Sequence, residues 1–255
     1  ALFKDMVCYQ EEVRDPTRVA EVLNRVITQA VRLSAPAQVN IPRDFWTQVI
    51  DIEIPEILSF ERPSGGDDAL SKAAQMLSEA EFPVILNGAG VVIGGAIPAS
   101  MALAERLDAP VCCGYQHNDA FPGSHPLFAG PLGYNGSKAG MELIAKADVV
   151  LALGTRLNPF STLPGYGIDY WPEDAKIIQV DINPDRIGLT KPVTIGIIGD
   201  ARKVAEGLLE KLGPQAGEKG RSSRTAVIAK TKSAWAQELT GLDHEDDDPG
   251  TTWNE

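Results

Sequence analysis

The chain has 255 residues, 44% of them hydrophobic, and a formal net charge of -12. That size can bury one large α/β core, or one core plus pieces of a second. No run approaches the ~18 consecutive apolar residues of a membrane span, and ALFKDMVCYQ at the start lacks the basic-then-apolar pattern of a leader. The negative charge repels phosphate backbones and anionic lipid, so nucleic acid and membrane are excluded as expected partners.

The three cysteines, Cys8, Cys112 and Cys113, are odd in number and two are adjacent. They suit neither a disulfide framework nor metal-ligand spacing, and they read as buried thiols of a protein in a reducing cytoplasm.

From Pro16 to Leu33, apolar residues at Val19, Val22, Leu23, Val26, Ile27, Ala30 and Val31 follow the spacing of one helical face, with Asp15 and Pro16 as start signals. The β-rich run AQVNIP follows, ended by Pro42. This first unit reads as a helix and then a strand, too little for a domain, and its strand lacks an evident sheet neighbour.

PSGGDD (63–68) is a linker and helix-capping segment. Behind it, helices are expected at 68–80, 95–107, 137–146 and 201–212. Strands are expected at 83–87, 110–113, 148–154, 176–182 and 193–199. β-branched runs alternating with amphipathic helices imply an α/β, doubly wound parallel sheet covered on both faces. GPQAGEKG (213–220) reads as a second linker, followed by a helix over 224–239 that carries Val227, Ile228, Trp235 and Leu239. DHEDDDPG (243–250) reads as a solvated acidic linker.

Parallel sheets bind ligands at the carboxyl ends of their strands. Gly88 and Gly90 in NGAGVVIGG form a turn that brings backbone amides near a phosphate or simply connects strand to helix. Gly154, Thr155 and Arg156 stand at a second strand end, where the arginine holds an anion or pairs with a carboxylate. Asp181 and Ile182, with Asn183, stand at a third, where an acid accepts hydrogen bonds from a ribose or base. Asp200 reads most simply as a helix N-cap.

The long segment 114–136 escapes regular patterning and carries His117, Asn118, Asp119, His125, Tyr134 and Asn135. His117, Asn118 and His125 are candidates for acid-base work, although no nucleophile is paired with a base and two histidines alone make no metal site.

PVILNGAGV, LAERLDAPVCC, DAFPGSHPLFAGPLGYNG, ADVVLALGTRLN, KIIQVDINPDRIG and IIGDARKV, in that order, resemble the central domain of thiamine-diphosphate-dependent enzymes of the acetohydroxyacid synthase and pyruvate oxidase type. The resemblance implies a six-stranded Rossmann-like central domain over 60–213. It implies that 1–58 is the closing part of a pyrimidine-binding domain and that 214–255 links toward a diphosphate-binding domain. PAQVNIPRDFWTQVIDIEIPE and DHEDDDPGTTWNE resemble an acetyl-transferring branch of the family. That branch implies conversion of sulfoacetaldehyde and phosphate into acetyl phosphate and sulfite by a homo-oligomer that uses thiamine diphosphate and Mg²⁺.

In the family, a glutamate early in the first domain and a GDG…N motif in the last hold and activate that cofactor. The sequence carries neither, so the chain is expected to be an internal fragment, inactive alone.

Relatives bind FAD or ADP in the central domain, at positions that match Gly88, Gly90, Gly154, Thr155, Arg156, Asp181, Ile182 and Asp200. Flavin relatives often carry GMHG where this sequence has Gly133, Tyr134, Asn135 and Gly136, so FAD is not expected and the pocket is expected to be empty or vestigial. Two other readings stay open at this point: a nucleotide-binding module, or an oligomer-assembly module of an acetolactate synthase-like protein. A sirtuin-like deacylase needs a zinc-binding cysteine quartet, which three cysteines cannot supply.

Overall fold

The structure is a computed structural model and describes residues 2–56 and 59–245. The chain divides into two compact units, Ala1–Glu61 and Arg62–Glu255.

In the first unit, strand β1 (Tyr9–Glu12) pairs in parallel with β2 (Ala37–Asn40), and helix α1 (Val19–Leu33) crosses between them. The strand expected at 37–41 therefore has a neighbour that sequence reading missed. Asp15 starts the crossover by accepting a hydrogen bond from Thr17 N at 2.9 Å, and Ser34 ends it in the left-handed conformation at φ 48°.

Val22 and Val26 pack with Val13 under the sheet, joined by Tyr9, Val19, Val39 and Phe45. Ile27 and Val31, expected on the same buried face, are 57% and 64% exposed. A sheet of only two strands is too narrow to cover the whole apolar stripe. Arg25 ties the layers together, bonding Glu11 of β1 at 2.7 and 2.8 Å and Glu21 of its own helix at 2.8 Å.

The second unit is built on six parallel strands: β3 (Pro83–Asn87), β4 (Val111–Cys113), β5 (Phe128–Pro131), β6 (Val149–Leu153), β7 (Lys176–Asp181) and β8 (Ile195–Ile198). Their spatial order is β5-β4-β3-β6-β7-β8.

Residues alternate between the two faces, as a doubly covered sheet requires. Ile85, Leu151, Leu153, Ile178 and Val180 enter one core, and Val84, Leu86, Val150, Ala152 and Ile177 enter the other. The first core lies under α2 (Asp67–Glu79), the one-turn helix α3 (Ala89–Ile93), α4 (Ile97–Leu107) and α6 (Ala201–Lys211). The second lies under α5 (Lys138–Ile144) and α7 (Arg221–Glu245).

Three expectations need correction. Segment 114–136 is not wholly irregular, because Phe128–Pro131 forms the edge strand β5 against β4. The helix expected from Gly95 starts at Ile97: Gly95 has φ +64°, which breaks the chain between α3 and α4. The helix expected at 224–239 runs from Arg221 to Glu245. The acidic linker reaches into 246–255, outside the described residues.

Helix α7 is anchored through Arg224, which is fully buried. Its guanidinium donates to the carbonyls of Asp108 (2.9 Å), Glu81 (2.5 Å), Lys219 (2.8 Å), Leu107 (2.8 Å) and Gly217 (2.5 Å). Leu107 and Asp108 stand at the C-terminus of α4, where carbonyls lack helical partners and the helix dipole favours a cation. Burial pushes the guanidinium below its ordinary range, and Asp108 and Asp148 oppose that shift.

Candidate functional site

Numbered within their unit, the six strands run 3-2-1-4-5-6 across the sheet. This order places a crevice where the connections diverge, at the carboxyl ends of β3 and β6. The chain leaving β3 turns one way and the chain leaving β6 turns the other.

At that point the two turns touch backbone to backbone. Gly88 N donates to Leu153 O at 3.0 Å, and Gly90 N donates to Gly154 O at 2.8 Å. A Cβ on Gly90 would lie 2.7 Å from Gly154 Cα, and one on Gly88 2.5 Å from Thr155 Cβ. Gly154 has φ +59° and is equally confined, with Gly90 Cα 2.8 Å from where its Cβ would stand. The amides of Gly88 and Gly90 thus join the two halves of the sheet.

Thr155 is buried, and its Oγ1 accepts from Leu157 N at 3.2 Å. Leu157 is itself buried at φ 53°, a conformation that costs a branched apolar residue energy and persists only where surroundings hold it. The turn is held by Gln179 Nε2 donating to Thr155 O at 3.2 Å and by Thr190 Oγ1 donating to Arg156 O at 3.0 Å. Arg156 projects from this turn and is exposed.

Gln179 also donates to Arg186 O at 3.1 Å and accepts from Gly188 N at 2.8 Å, so one buried amide clips the turns after β6 and β7 together. Sequence reading missed it; its signal is the lone amide inside the apolar run KIIQVDI.

Asp181 ends β7 and accepts from Asn183 N at 2.8 Å. Burial raises its carboxyl above the ordinary range, opposed by that amide and by the guanidiniums of Arg186 and Arg156. Ile182, beside it, is 37% exposed. Asp200 accepts from Arg202 N and Lys203 N as the N-cap of α6 and from Arg62 at 2.8 Å. Its carboxylate is already engaged by its own chain.

The candidate acid-base residues are not brought together. His117 and Asn118 follow β4 at the carboxyl edge, with His117 Nδ1 4.0 Å from Asp119. His125 stands just before β5, at the opposite edge of this parallel sheet. Its Nδ1 accepts from Leu127 N at 3.2 Å, its Nε2 lies 3.3 Å from Glu105, and its ring meets Phe121 edge-on.

Asn87, also missed, holds the His117 loop from beneath. It is fully buried and donates to Ala120 O at 3.0 Å and Ser100 Oγ at 2.8 Å. At the carboxyl edge, the guanidiniums of Arg186 and Arg156 both act on the Asp181 carboxyl. Among the described residues, no group of three His, Cys, Asp or Glu side chains could hold a metal ion.

The family model described as "Thiamine pyrophosphate enzyme, central domain" matches residues 70–208. The chain belongs to the thiamine pyrophosphate enzymes. Its match to the central domain spans the sheet from the end of the first linker to α6, including every strand-end position described above.

Over all 255 residues the chain is 78% identical to a sulfoacetaldehyde acetyltransferase of Roseovarius nubinhibens, of which it covers 42%. It is 73% identical over 254 residues to a probable sulfoacetaldehyde acetyltransferase of Rhizobium meliloti, of which it covers 43%. The chain thus spans less than half the length of these curated relatives. Among solved structures, a putative thiamin diphosphate-dependent enzyme from Mycobacterium smegmatis superposes with a TM-score of 0.66 at 26% identity, over 84% of this chain and 41% of that one.

Proposed function

We propose that this chain is a section of a thiamine-diphosphate-dependent sulfoacetaldehyde acetyltransferase, which converts sulfoacetaldehyde and phosphate into acetyl phosphate and sulfite. The observation that carries the reading is the 78% identity to such an enzyme along the whole chain. In this reading 1–58 closes the pyrimidine-binding domain, 60–213 is the central domain, and 214–255 leads to the diphosphate-binding domain. The whole protein is a cytoplasmic homo-oligomer of sulfonate degradation that acts on small molecules and engages neither nucleic acid nor membrane.

Thiamine diphosphate supplies a carbanion-stabilising centre in such enzymes. The described residues offer no metal-holding cluster for its Mg²⁺, so no step of that chemistry is assigned to this chain. What the chain contributes is a scaffold with a polar strand-end surface. Gly88, Gly90, Gly154, Thr155, Arg156, Asp181, Ile182 and Asp200 are the positions at which family members would hold a nucleotide. Here the amides of Gly88 and Gly90 and the carboxylate of Asp200 already have partners within the chain, which supports a pocket that takes no flavin. The conversion is also redox-neutral and needs none.

The test is release of sulfite and formation of acetyl phosphate from sulfoacetaldehyde, with thiamine diphosphate, Mg²⁺ and phosphate supplied. A full-length polypeptide carrying this segment should turn over, and the 255-residue chain should not. Silence from the full-length polypeptide would remove the substrate assignment. Turnover by the chain alone would show that the chemistry resides within it. A flavin absorbance band in the purified protein would overturn the reading of the pocket.

A further inference from the structure

Left-handed backbone at residues other than glycine gathers in one place. Ser34 and Asp108 adopt it to end α1 and α4. Gln116, Asn135, Leu157 and Tyr166 end no helix, yet have φ of 76°, 56°, 53° and 53°. They lie in the loops that leave the carboxyl ends of β4, β5 and β6. Such backbone costs a residue with a side chain energy and persists only where its surroundings hold it.

These three loops hold one another. Ser161 is buried, its Oγ accepts from Tyr115 N at 3.0 Å, and its carbonyl accepts from the Tyr170 hydroxyl at 3.0 Å. Phe160 O accepts from Tyr134 N at 3.2 Å, and Gly136 O accepts from the Tyr166 hydroxyl at 3.0 Å. What this scaffold presents is aromatic. Tyr115 stacks on Phe160 with centroids 6.2 Å apart and meets Tyr134 edge-on at 6.5 Å. Tyr134, Phe160 and Tyr166 are nevertheless 63%, 56% and 54% exposed. Aromatic rings fixed in this way and left facing water mark a surface that another body covers.

Helix α7 leads to that surface. It starts at the amino edge of the sheet, where Arg224 binds the carbonyls of Glu81, before β3, and Asp108, before β4. A rise of ~1.5 Å per residue then carries the chain roughly 20 Å to Glu238. There Glu238 meets Lys138 Nζ, in the first turn of α5, at 2.7 Å, and Trp235 meets Tyr166 edge-on with centroids 5.4 Å apart. Leu239, one turn beyond Trp235 on the same helix face, is also exposed. The helix thus crosses the sheet from its amino to its carboxyl edge and delivers the polypeptide that follows it to the aromatic loops. The two relatives of 78% and 73% identity are more than twice as long as this chain, so a large body remains to be placed.

We propose that the aromatic surface of Tyr134, Phe160 and Tyr166, continued by Leu239, is where the diphosphate-binding domain of the whole protein docks. The inference rests on the proposed function, in which 214–255 leads to that domain. Loop interlocking sets the rings before the domain arrives, so docking costs little ordering of this side.

The experiment uses the full-length polypeptide, oxidised by hydroxyl radicals and read residue by residue by peptide mass spectrometry. Phe160→Arg places a charge in the interface, and labelling at Tyr134 and Tyr166 should rise several-fold over the parent. Labelling at Tyr170, buried within the chain, should stay low and shows that the unit is still folded. Leu239→Asp, which lies outside the loops, should act in the same direction and decides the matter if Phe160→Arg unfolds the unit. Ile93→Arg, an exposed position on α3 over the first core, should change nothing at either tyrosine. Unchanged labelling in both patch variants, or an equal rise in Ile93→Arg, would overturn the proposal. So would parent labelling that rises several-fold on dilution, which would make a second copy the occupant, or protection that comes only with added sulfoacetaldehyde. The readout needs no turnover, so its failure leaves sulfite release by the full-length polypeptide as an independent test. Absence of sulfite with the expected labelling would remove the substrate assignment and leave the docking surface standing.

Discussion

Replacing Arg224 tests whether the helix after the second linker is part of the folded unit. In the substitution Arg224→Met, the carbonyls of Glu81, Leu107, Asp108, Gly217 and Lys219 lose the donor they share. Each hydrogen bond to a charged group contributes roughly 1.5–3 kcal/mol net, but donors on a single guanidinium are not additive. Removing one partner from a buried charged arrangement costs about 3–5 kcal/mol, and Met recovers part of the lost packing. A loss of about 4 kcal/mol is therefore expected. For a domain of this size each kcal/mol shifts Tm by about 2–4 °C, so the transition should fall by about 8–16 °C. Arg224→Lys should lie between, because a point-like ammonium with three donors cannot reach all the carbonyls. Urea and thermal titrations followed by circular dichroism read both variants. A loss below about 1 kcal/mol for Arg224→Met would refute the reasoning, since it would mean that water serves those carbonyls as well as the guanidinium does.

Gly90→Ala should cost about 2 kcal/mol or more in a urea titration, because the new methyl meets Gly154 Cα at 2.7 Å and backbone cannot step aside as a side chain can. Gly66→Ala, with no atom within 4 Å of the added carbon, should stay within about 0.5 kcal/mol of the parent. Asp200→Ala should lose about 1–2 kcal/mol from the missing helix cap, whereas Asp200→Asn should keep the cap and lose chiefly the Arg62 pair. Acid should weaken the first unit selectively: Arg25 holds Glu11 down at about 2, and Arg18 and Arg25 hold Glu21 down at about 2. Carboxyls depressed in the folded state stabilise fully above their unfolded value near 4.5, and that contribution is lost as pH falls toward 2. Hydrogen exchange at α1 amides should therefore accelerate between those values in the parent and change less in Arg25→Gln.

The parallel sheet was readable because strands such as Val149–Leu153 are apolar on both faces and alternate with helices of clear period. β1 was not readable: Tyr-Gln-Glu-Glu has no apolar alternation, and the strand exists because β2 pairs with it and Arg25 neutralises Glu11. β5 hid for a related reason, since Phe-Ala-Gly-Pro carries two residues that weaken a strand and is tolerated at a sheet edge. Strand-end positions could be chosen because parallel sheets direct their loops to one edge. Which of them had spare hydrogen-bonding capacity could not, because the partners of Asp200 and Gly90 come from Arg62 and Gly154, residues 138 and 64 positions away in sequence. Segment 114–136 misled in the same way, by bringing His117 and His125 close along the chain while the fold sends them to opposite edges.

Where Gly90 rests on Gly154, main chain meets main chain, so no second substitution can compensate for a first. A side chain that overfills a hydrophobic core can be relieved by trimming its neighbour, but hydrogen is already the smallest substituent at both of these positions. Any larger group there works as a wedge between β3 and β6 and parts the sheet along its midline. Attempts to recombine this unit with segments from distant relatives should therefore keep both turns from the same parent.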